Sequence, residues 1–235
     1  MAPPWPRNDI RQYDDLAGEW WRPGGAFTVL HAIAAARGQL VPSANRPGAV
    51  LVDVGCGGGL LAPHVAGKGY RHVGVDVVTS ALEQALAHGV SAVRGDATAL
   101  PLADGCADVV SAGEVLEHVT DLPGAVAEVC RVLRPGGRLV LDTLNSTWLA
   151  RLLVVTVAEA VPGAAPPGIH DPALFVEPRR LMRECARHGV RLRVRGARPG
   201  LRGALRWLLT RRGDFPIVPT WSTAVLYQGV GVKDG

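Results

Sequence analysis

The sequence predicts an α/β fold: a doubly wound, mostly parallel sheet with helices on both faces. Three observations predict it. Short apolar runs alternate with helical patterns through the middle of the chain, the order that yields parallel strands joined by crossover helices. A glycine-rich turn, GCGGG at residues 55–59, stands where the first strand gives way to the first helix of this series. An aspartate, Asp76, closes the second strand 21 residues after Gly55, the spacing at which a carboxylate meets a ribose in nucleotide-binding sheets.

In chain order, AVLVDV (49–54) is a continuous apolar run closed by glycine and reads as a buried strand. Residues 58–69 carry Leu60, Leu61 and Val65 and predict a helix stopped by glycine. Residues 72–76 form a second strand, Thr79 or Ser80 an N-cap for a helix over 81–88, and residues 90–93 a third strand. A fourth strand covers 107–112. Asp121 caps a helix running to about Leu133, RPGG (134–137) ends it, and residues 138–143 make a fifth strand. Upstream, residues 9–21 and 28–40 read as two helices placed over the strand ends. Downstream come an apolar helical stretch (148–161), a loop rich in Pro and Gly (162–172), a helix (177–189), a strand (190–194) and a last strand (223–232).

Composition narrows the function classes. The chain has 235 residues and 24.7 kDa, with 48% hydrophobic and 20% charged residues, so it is expected to be one domain with a full core and not a disordered segment. No run reaches the roughly 18 apolar residues of a spanning helix, and MAPPWP at the start lacks the layout of a secretory signal, which points to the cytoplasm. Cys56, Cys106, Cys130 and Cys185 show no CxxC spacing and are read as reduced thiols. The net charge of +4 hides a separation: twelve arginines against one acid, Glu184, lie between Arg179 and Arg212, whereas residues 1–178 hold twelve basic and eighteen acidic side chains. A basic segment on an acidic body suits an anionic partner, whether lipid headgroups, nucleic acid or an acidic substrate, or is simply a solvated face.

The glycine turn carries the chemistry. Glycine lets the backbone turn sharply and lets a ligand reach the main chain, and the following helix start offers unpaired N–H groups. The third glycine of GxGxxG would fall at position 60, which is Leu60, whereas GxGxG is met by Gly55, Gly57 and Gly59. Asp53 adds negative charge that repels a pyrophosphate and favours the ammonium and sulfonium of S-adenosylmethionine. Asp76 is placed to bind the ribose, and Asp96, in GDA (95–97), to accept from the adenine amino group.

VDVGCGGG (52–59), GDA (95–97), LPL (100–102) with ADVV (107–110), and LRPGG (133–137) resemble the successive motifs of class I S-adenosylmethionine-dependent methyltransferases. Further agreement at WW (20–21), LH (30–31), VLEH (115–118), TLN (143–145), GIHD (168–171) and Phe175 makes the chain similar to the 3-demethylubiquinol 3-O-methyltransferases of ubiquinone biosynthesis. The resemblance implies a Rossmann-like fold with an antiparallel C-terminal strand and helical lid segments. It divides one domain into an N-terminal helical lid (1–45), a donor-binding core (46–145), a lid and arginine-rich acceptor region (146–222) and the final strand (223–235). It implies donor contacts at Arg37, Gly55, Asp76 and Gly113, with Asp53, Gly57, Gly59, Asp96 and Ala97 completing the cofactor set. It also implies a magnesium ion at Glu114, Glu117 and His118, as in eukaryotic relatives. Gly113 and Val115 replace larger residues common in the family, and the match is poor after Gly189.

If Glu114, Glu117 and His118 begin a helix, their spacing puts them on one face, where they hold a metal that lowers the pKa of a catechol oxygen, or merely cap that helix. Magnesium prefers oxygen ligands, so His118 is alternatively the base. His170, after the Pro- and Gly-rich loop, is a second candidate base. Trp20 and Trp21 form part of the lid or pack the N-terminal helix. The acceptor expected is a phenol, catechol or hydroquinone, including a polyprenylated quinol. The apolar stretch 148–161 and the arginines are expected to dock on an anionic membrane surface. The alternatives are methylation of another small metabolite or of RNA, and a noncatalytic S-adenosylmethionine-binding protein. Nucleic acid is not expected, because aromatics are only 5% and do not interleave with the arginines before Trp207.

Overall fold

The computed structural model describes residues 5–210 and 215–235. The sequence-expected N-terminal tip, residues 1–4, and Arg211 and Arg212 of the arginine-rich stretch lie outside them. Eight strands form one sheet: β1 (Val50–Val54), β2 (Arg71–Asp76), β3 (Ser91–Arg94), β4 (Ala107–Gly113), β5 (Leu133–Leu144), β6 (Val190–Pro199), β7 (Ile217–Thr220) and β8 (Leu226–Lys233). Their order is β3-β2-β1-β4-β5-β8-β6-β7. The first five are mutually parallel; β8 pairs antiparallel with β5 and β6, and β7 antiparallel with β6. The expected α/β class and antiparallel C-terminal strand are both present.

Burial of both sheet faces explains the continuous apolar runs. Alternate side chains of adjacent strands point the same way. Leu51, Val109 and Val140 pack against Val41, Leu61 and Val65 on one face. Val52, Val110, Leu139 and Leu141 pack on the other, against Val126 and Val129 of α5 (Leu122–Val132) and Leu181 of α7 (Pro178–Arg187). The first face is covered by α2 (Thr28–Leu40) and the short α3 (Ala62–Val65). Further along this face, Asp53 and Ser111 are paired neighbours and Gly113 pairs with Asp142, so the apolar row turns polar at the carboxyl ends of the strands.

Several expected elements differ. The helix expected over 58–69 shrinks to α3, because the chain leaves the glycine loop in successive turns and Gly67 and Gly69 take positive φ. The helix α4 (Thr79–Ala87) has Val78 as its N-cap, with no side-chain cap; Asp76 Oδ1 accepts from Val78 N at 2.9 Å, and Ser80 Oγ donates to Asp14 instead. The helix expected over 9–21 breaks into α1 (Arg11–Asp15) and a 3-10 turn (Ala17–Glu19), which swings Trp20 onto the glycine loop. The stretch 148–161 winds in three modes: α6 (Trp148–Ala150), a π-helical segment (Arg151–Val157) and a 3-10 turn (Ala158–Ala160) that turns Glu159 inward. Neither α8 (Leu201–Thr210) nor β7 was expected; β7 carries Pro219 and lies at the sheet edge, where a missing N–H is tolerated.

β5 starts at Leu133, five residues before its expected start. Leu133 pairs with Ala107 and Arg138 with Val109, so residues 134–137 bulge opposite Asp108 alone. Asp108 fixes the bulge by accepting from Arg134 Nε at 2.8 Å, from Arg46 Nε and Nη2 at 2.8 and 2.7 Å, and from Val50 N at 2.9 Å. Burial opposes its ionisation, but these donors outweigh it and hold the carboxyl down at about 2. Asp108→Ala should therefore lower stability by about 2 kcal/mol, because the arginine partners are partly solvated, and lower Tm by roughly 4–8 °C. Because the folded-state pKa is depressed, this contribution is present above pH ~4 and is lost as pH falls towards 2. Thermal unfolding at pH 7 and at pH 2.5 checks it: the gap between the wild-type and variant curves should narrow at the lower pH.

Candidate active site

The strand order reverses between β1 and β4, and in open α/β sheets a ligand crevice forms at such a point, outside the carboxyl ends of the strands. Here a cavity of about 880 Å³ opens, in the upper range for small-molecule sites. The glycine loop after β1, Asp76 at the end of β2, Asp96 after β3, and Gly113–Val115 and His118–Asp121 at and beyond the end of β4 line one end. Leu30, Ile33, Leu144, Val154, Ile169 and Leu226 line the other, an apolar pocket roofed by α2, the 148–172 segment and the last strand.

Of the residues singled out in the sequence, Arg37, Gly55, Gly57, Asp76, Asp96, Ala97, Gly113, Glu114, His118 and His170 line this cavity. Asp53, Gly59 and Glu117 do not. Asp53 is buried under the loop, with His72 Nε2 at 3.6 Å, so it acts only at a distance. Burial opposes its ionisation, yet His72 and Arg37 hold it below the usual carboxylate range. Gly59 packs on Ala85 of α4.

The glycines also serve a purpose the sequence did not reveal. A Cβ on Gly57 would come within 2.5 Å of the Trp20 ring, and one on Gly58 within 2.6 Å. Trp21 Nε1 donates to Gly58 O at 2.8 Å. These two glycines admit the N-terminal tryptophans, which close one side of the crevice in a stack of Tyr13, Trp20 and Phe27. Gly113 is glycine because the Arg37 guanidinium occupies the space a side chain would take.

Arg37, at the end of α2, donates from Nη1 to Asp142 Oδ1 at 2.7 Å, with both side chains buried and Arg37 Nε left without a partner. Burial raises Asp142 to about 6 even though Arg37 pulls it down. Burial and the Glu117 carboxyl push Glu114 up, and burial and Asp142 push Glu117 up. Burial likewise raises Asp76, against the pull of backbone donors including Gly57 N at 2.8 Å. Asp96 is nearer the surface and is held low by Thr98, whose N–H and hydroxyl both donate to Oδ1.

These donors and acceptors fit S-adenosylmethionine. Asp76 keeps lone pairs beyond its two backbone bonds for ribose hydroxyls, and Asp96 Oδ2 is open towards an amino group. The unpartnered Arg37 Nε and Glu114 Oε1 suit the donor's carboxylate and ammonium.

The expected magnesium site does not fit. Glu114, just after β4, sits in the left-handed region at φ 51, so no α-helix starts there; only a 3-10 turn (Leu116–His118) follows. Glu117 consequently turns under the sheet, where Thr143 Oγ1 donates to its Oε2 at 2.6 Å, while His118 turns into the cavity. His118 Nδ1 is 2.6 Å from Asn8 Oδ1 and its Nε2 is 3.4 Å from the Tyr13 hydroxyl. Among the described residues no three His, Cys, Asp or Glu side chains converge as a metal site.

His118 and His170, both in the cavity wall, stack at 5.5 Å. Burial, reinforced by His170, pushes His118 down to about 3, so its imidazole is neutral. His170 Nδ1 is 3.3 Å from Glu159, which Arg7 and Gly168 N also engage. Tyr13, Asn8, Arg7 and Glu159 were not found from sequence; no motif or spacing distinguishes them, and their partners lie far along the chain.

Comparison with known proteins agrees with this crevice. Residues 52–141 match the family described as "Methyltransferase domain". The ubiquinone biosynthesis O-methyltransferase of Burkholderia pseudomallei is 35% identical over 193 residues, 79% of this chain and 83% of that protein. That of Thiobacillus denitrificans is 36% identical over 190 residues, 77% and 82% of the two chains. In fold, an S-adenosylmethionine-dependent methyltransferase of Thermotoga maritima superposes with a TM-score of 0.68 at 19% identity, covering 96% of this chain and all of that one. With the donor crevice in place and this extent of identity to its relatives, the chain belongs to the ubiquinone biosynthesis O-methyltransferase family and is an S-adenosylmethionine-dependent O-methyltransferase.

Proposed function

We propose that the chain methylates a phenolic hydroxyl of a catechol or hydroquinone that carries an apolar tail, of the demethylubiquinol type. The observation that carries this reading is the continuity of one cavity from the glycine loop to an apolar pocket, with the stacked His118 and His170 in its wall. Residues 1–45 and 146–222 act as the lid and acceptor region, and residues 46–145 hold the donor together with Arg37 from the N-terminal lid.

Arg37, Gly55, Gly57, Asp76, Asp96, Ala97, Gly113 and Glu114 hold the donor. S-adenosylmethionine, when bound, supplies an electrophilic methyl on a cationic sulfur. The chain's task is then to orient an acceptor oxygen, exclude water and take one proton. His118 Nε2 takes it. With the imidazole near 3 and a phenol near 10, complete proton transfer beforehand would cost on the order of 10 kcal/mol. His118 therefore acts as a hydrogen-bond acceptor first and receives the proton as the carbon–oxygen bond forms and the oxygen turns acidic. His170 lines the same cavity, and Glu159 orients it.

The chain also docks, in this reading, on the cytoplasmic surface of an anionic membrane. α8 presents Leu201, Leu205, Leu208 and Leu209 to solvent with the exposed Arg202, and Trp148, Leu152 and Trp221 are exposed as well. Apolar insertion and cationic attraction would act together and bring a tailed acceptor to the pocket. No helix among the described residues is long and apolar enough to cross a membrane.

An assay with labelled methyl donor against catechols and hydroquinones, with and without a prenyl tail, tests the acceptor. The tailed compounds should show at least about tenfold higher kcat/KM, since each buried methylene contributes roughly 0.8 kcal/mol. Turnover should be unchanged in chelator, and equal rates on untailed compounds would refute the acceptor assignment. Vesicle sedimentation tests docking: binding to phosphatidylglycerol vesicles at low salt and not to phosphatidylcholine vesicles is expected. The pair Leu205→Glu and Leu209→Glu should abolish it while leaving methylation of a water-soluble catechol intact.

A further inference from the structure

Asn8 occupies the left-handed region at φ 61 although it is not glycine, a conformation that a non-glycine residue holds at some cost and only where its surroundings fix it. Two sets of contacts hold it. Its backbone N donates to Gly168 O at 3.0 Å. Its side chain spans the backbone and the ring of one residue: Asn8 Nδ2 donates to His118 O at 2.9 Å, and Asn8 Oδ1 lies 2.6 Å from His118 Nδ1.

This pair of contacts decides a proton position. A peptide carbonyl only accepts, so the amide NH2 must face His118 O and the amide oxygen must face the ring. An oxygen acceptor at that distance requires the hydrogen to be on Nδ1. The neutral ring then carries its lone pair on Nε2, the nitrogen beside the Tyr13 hydroxyl in the cavity. A carboxylate in the same place would fix the same tautomer but add a charge that favours the imidazolium; a carboxamide fixes it without charge.

We propose that Asn8 is the positioning residue for methyl transfer: it sets the tautomer and orientation of His118 so that Nε2 faces the acceptor hydroxyl. This rests on the reading of His118 as the base. Asn8 is anchored through Gly168, and Gln12 Nε2 donates to the same carbonyl at 3.1 Å. The ring of the base is thus oriented by the N-terminal segment and the 162–172 loop together, while its backbone is placed by the turn that follows β4.

Asn8→Gly tests the idea, because glycine adopts positive φ freely and keeps the N–H bond to Gly168, so only the carboxamide is lost. The expected result is a fall in kcat of about 10- to 100-fold, with the KM for S-adenosylmethionine unchanged within about twofold. Imidazole 15N NMR of wild type should show His118 protonated on Nδ1, and Asn8→Gly should show a mixture of tautomers. Wild-type kcat in Asn8→Gly alongside an inactive His118→Ala, or a wild-type spectrum with the proton on Nε2, would overturn the proposal. Full activity in His118→Ala would instead remove the base assignment and with it the catalytic role of Asn8; the 15N spectrum would still show whether Asn8 fixes the tautomer.

Discussion

One guanidinium, that of Arg37, sits beneath the crevice among the buried carboxyls of Asp53, Glu114, Glu117 and Asp142. A single cation does not balance four carboxyls in a poorly solvated floor, so burial leaves Glu114, Glu117 and Asp142 with raised pKa values. Much else follows from this arrangement. α2 must lie across the first sheet face to deliver Arg37, Gly113 must lack a side chain to admit it, and the polar row of Asp53, Ser111 and Asp142 must interrupt otherwise apolar strands. The floor is therefore short of positive charge directly below the cavity, which favours a ligand bearing a sulfonium and an ammonium over one bearing a pyrophosphate.

Most of the sheet was legible because it is buried on both faces. Continuous apolar runs at 49–54 and 107–112 have few other interpretations, and β1 to β4 each lie within about one residue of where the pattern puts them. Legibility ended where local preference was overruled. Residues 134–137 look like a helix stop followed by a turn, yet Asp108, on another strand, holds them as a bulge inside β5. β7 was hidden by its proline and α8 by the surrounding Arg, Gly and Pro, which read as loop.

The site was legible in its donor half and opaque in its acceptor half for a related reason. The glycine turn, Asp76 and Asp96 sit at strand ends, so sequence spacing translates directly into spatial neighbourhood. The role of Gly57 was nonetheless misread in part, since Trp20, 37 positions earlier, fills the space over it. The reading of Glu114, Glu117 and His118 as one helical face failed on a single backbone angle, the positive φ of Glu114, which no composition rule indicates. Asn8 and His118 are 110 residues apart, and Arg7 and Glu159 are 152 apart. Such pairs become visible only once the N-terminal segment and the 162–172 loop are seen to meet over the crevice.

The crevice between β1 and β4 is built to take an adenosyl ligand through Asp76 above this acid-rich floor. Calorimetric titration with S-adenosylhomocysteine, run beside a nicotinamide dinucleotide, tests it most directly. One site per chain for S-adenosylhomocysteine is expected, with no binding of the dinucleotide and at least about tenfold weaker affinity in Asp76→Ala, the loss of one charged hydrogen-bonding group. No heat with S-adenosylhomocysteine, equal binding of the dinucleotide, or undiminished affinity in Asp76→Ala would contradict it.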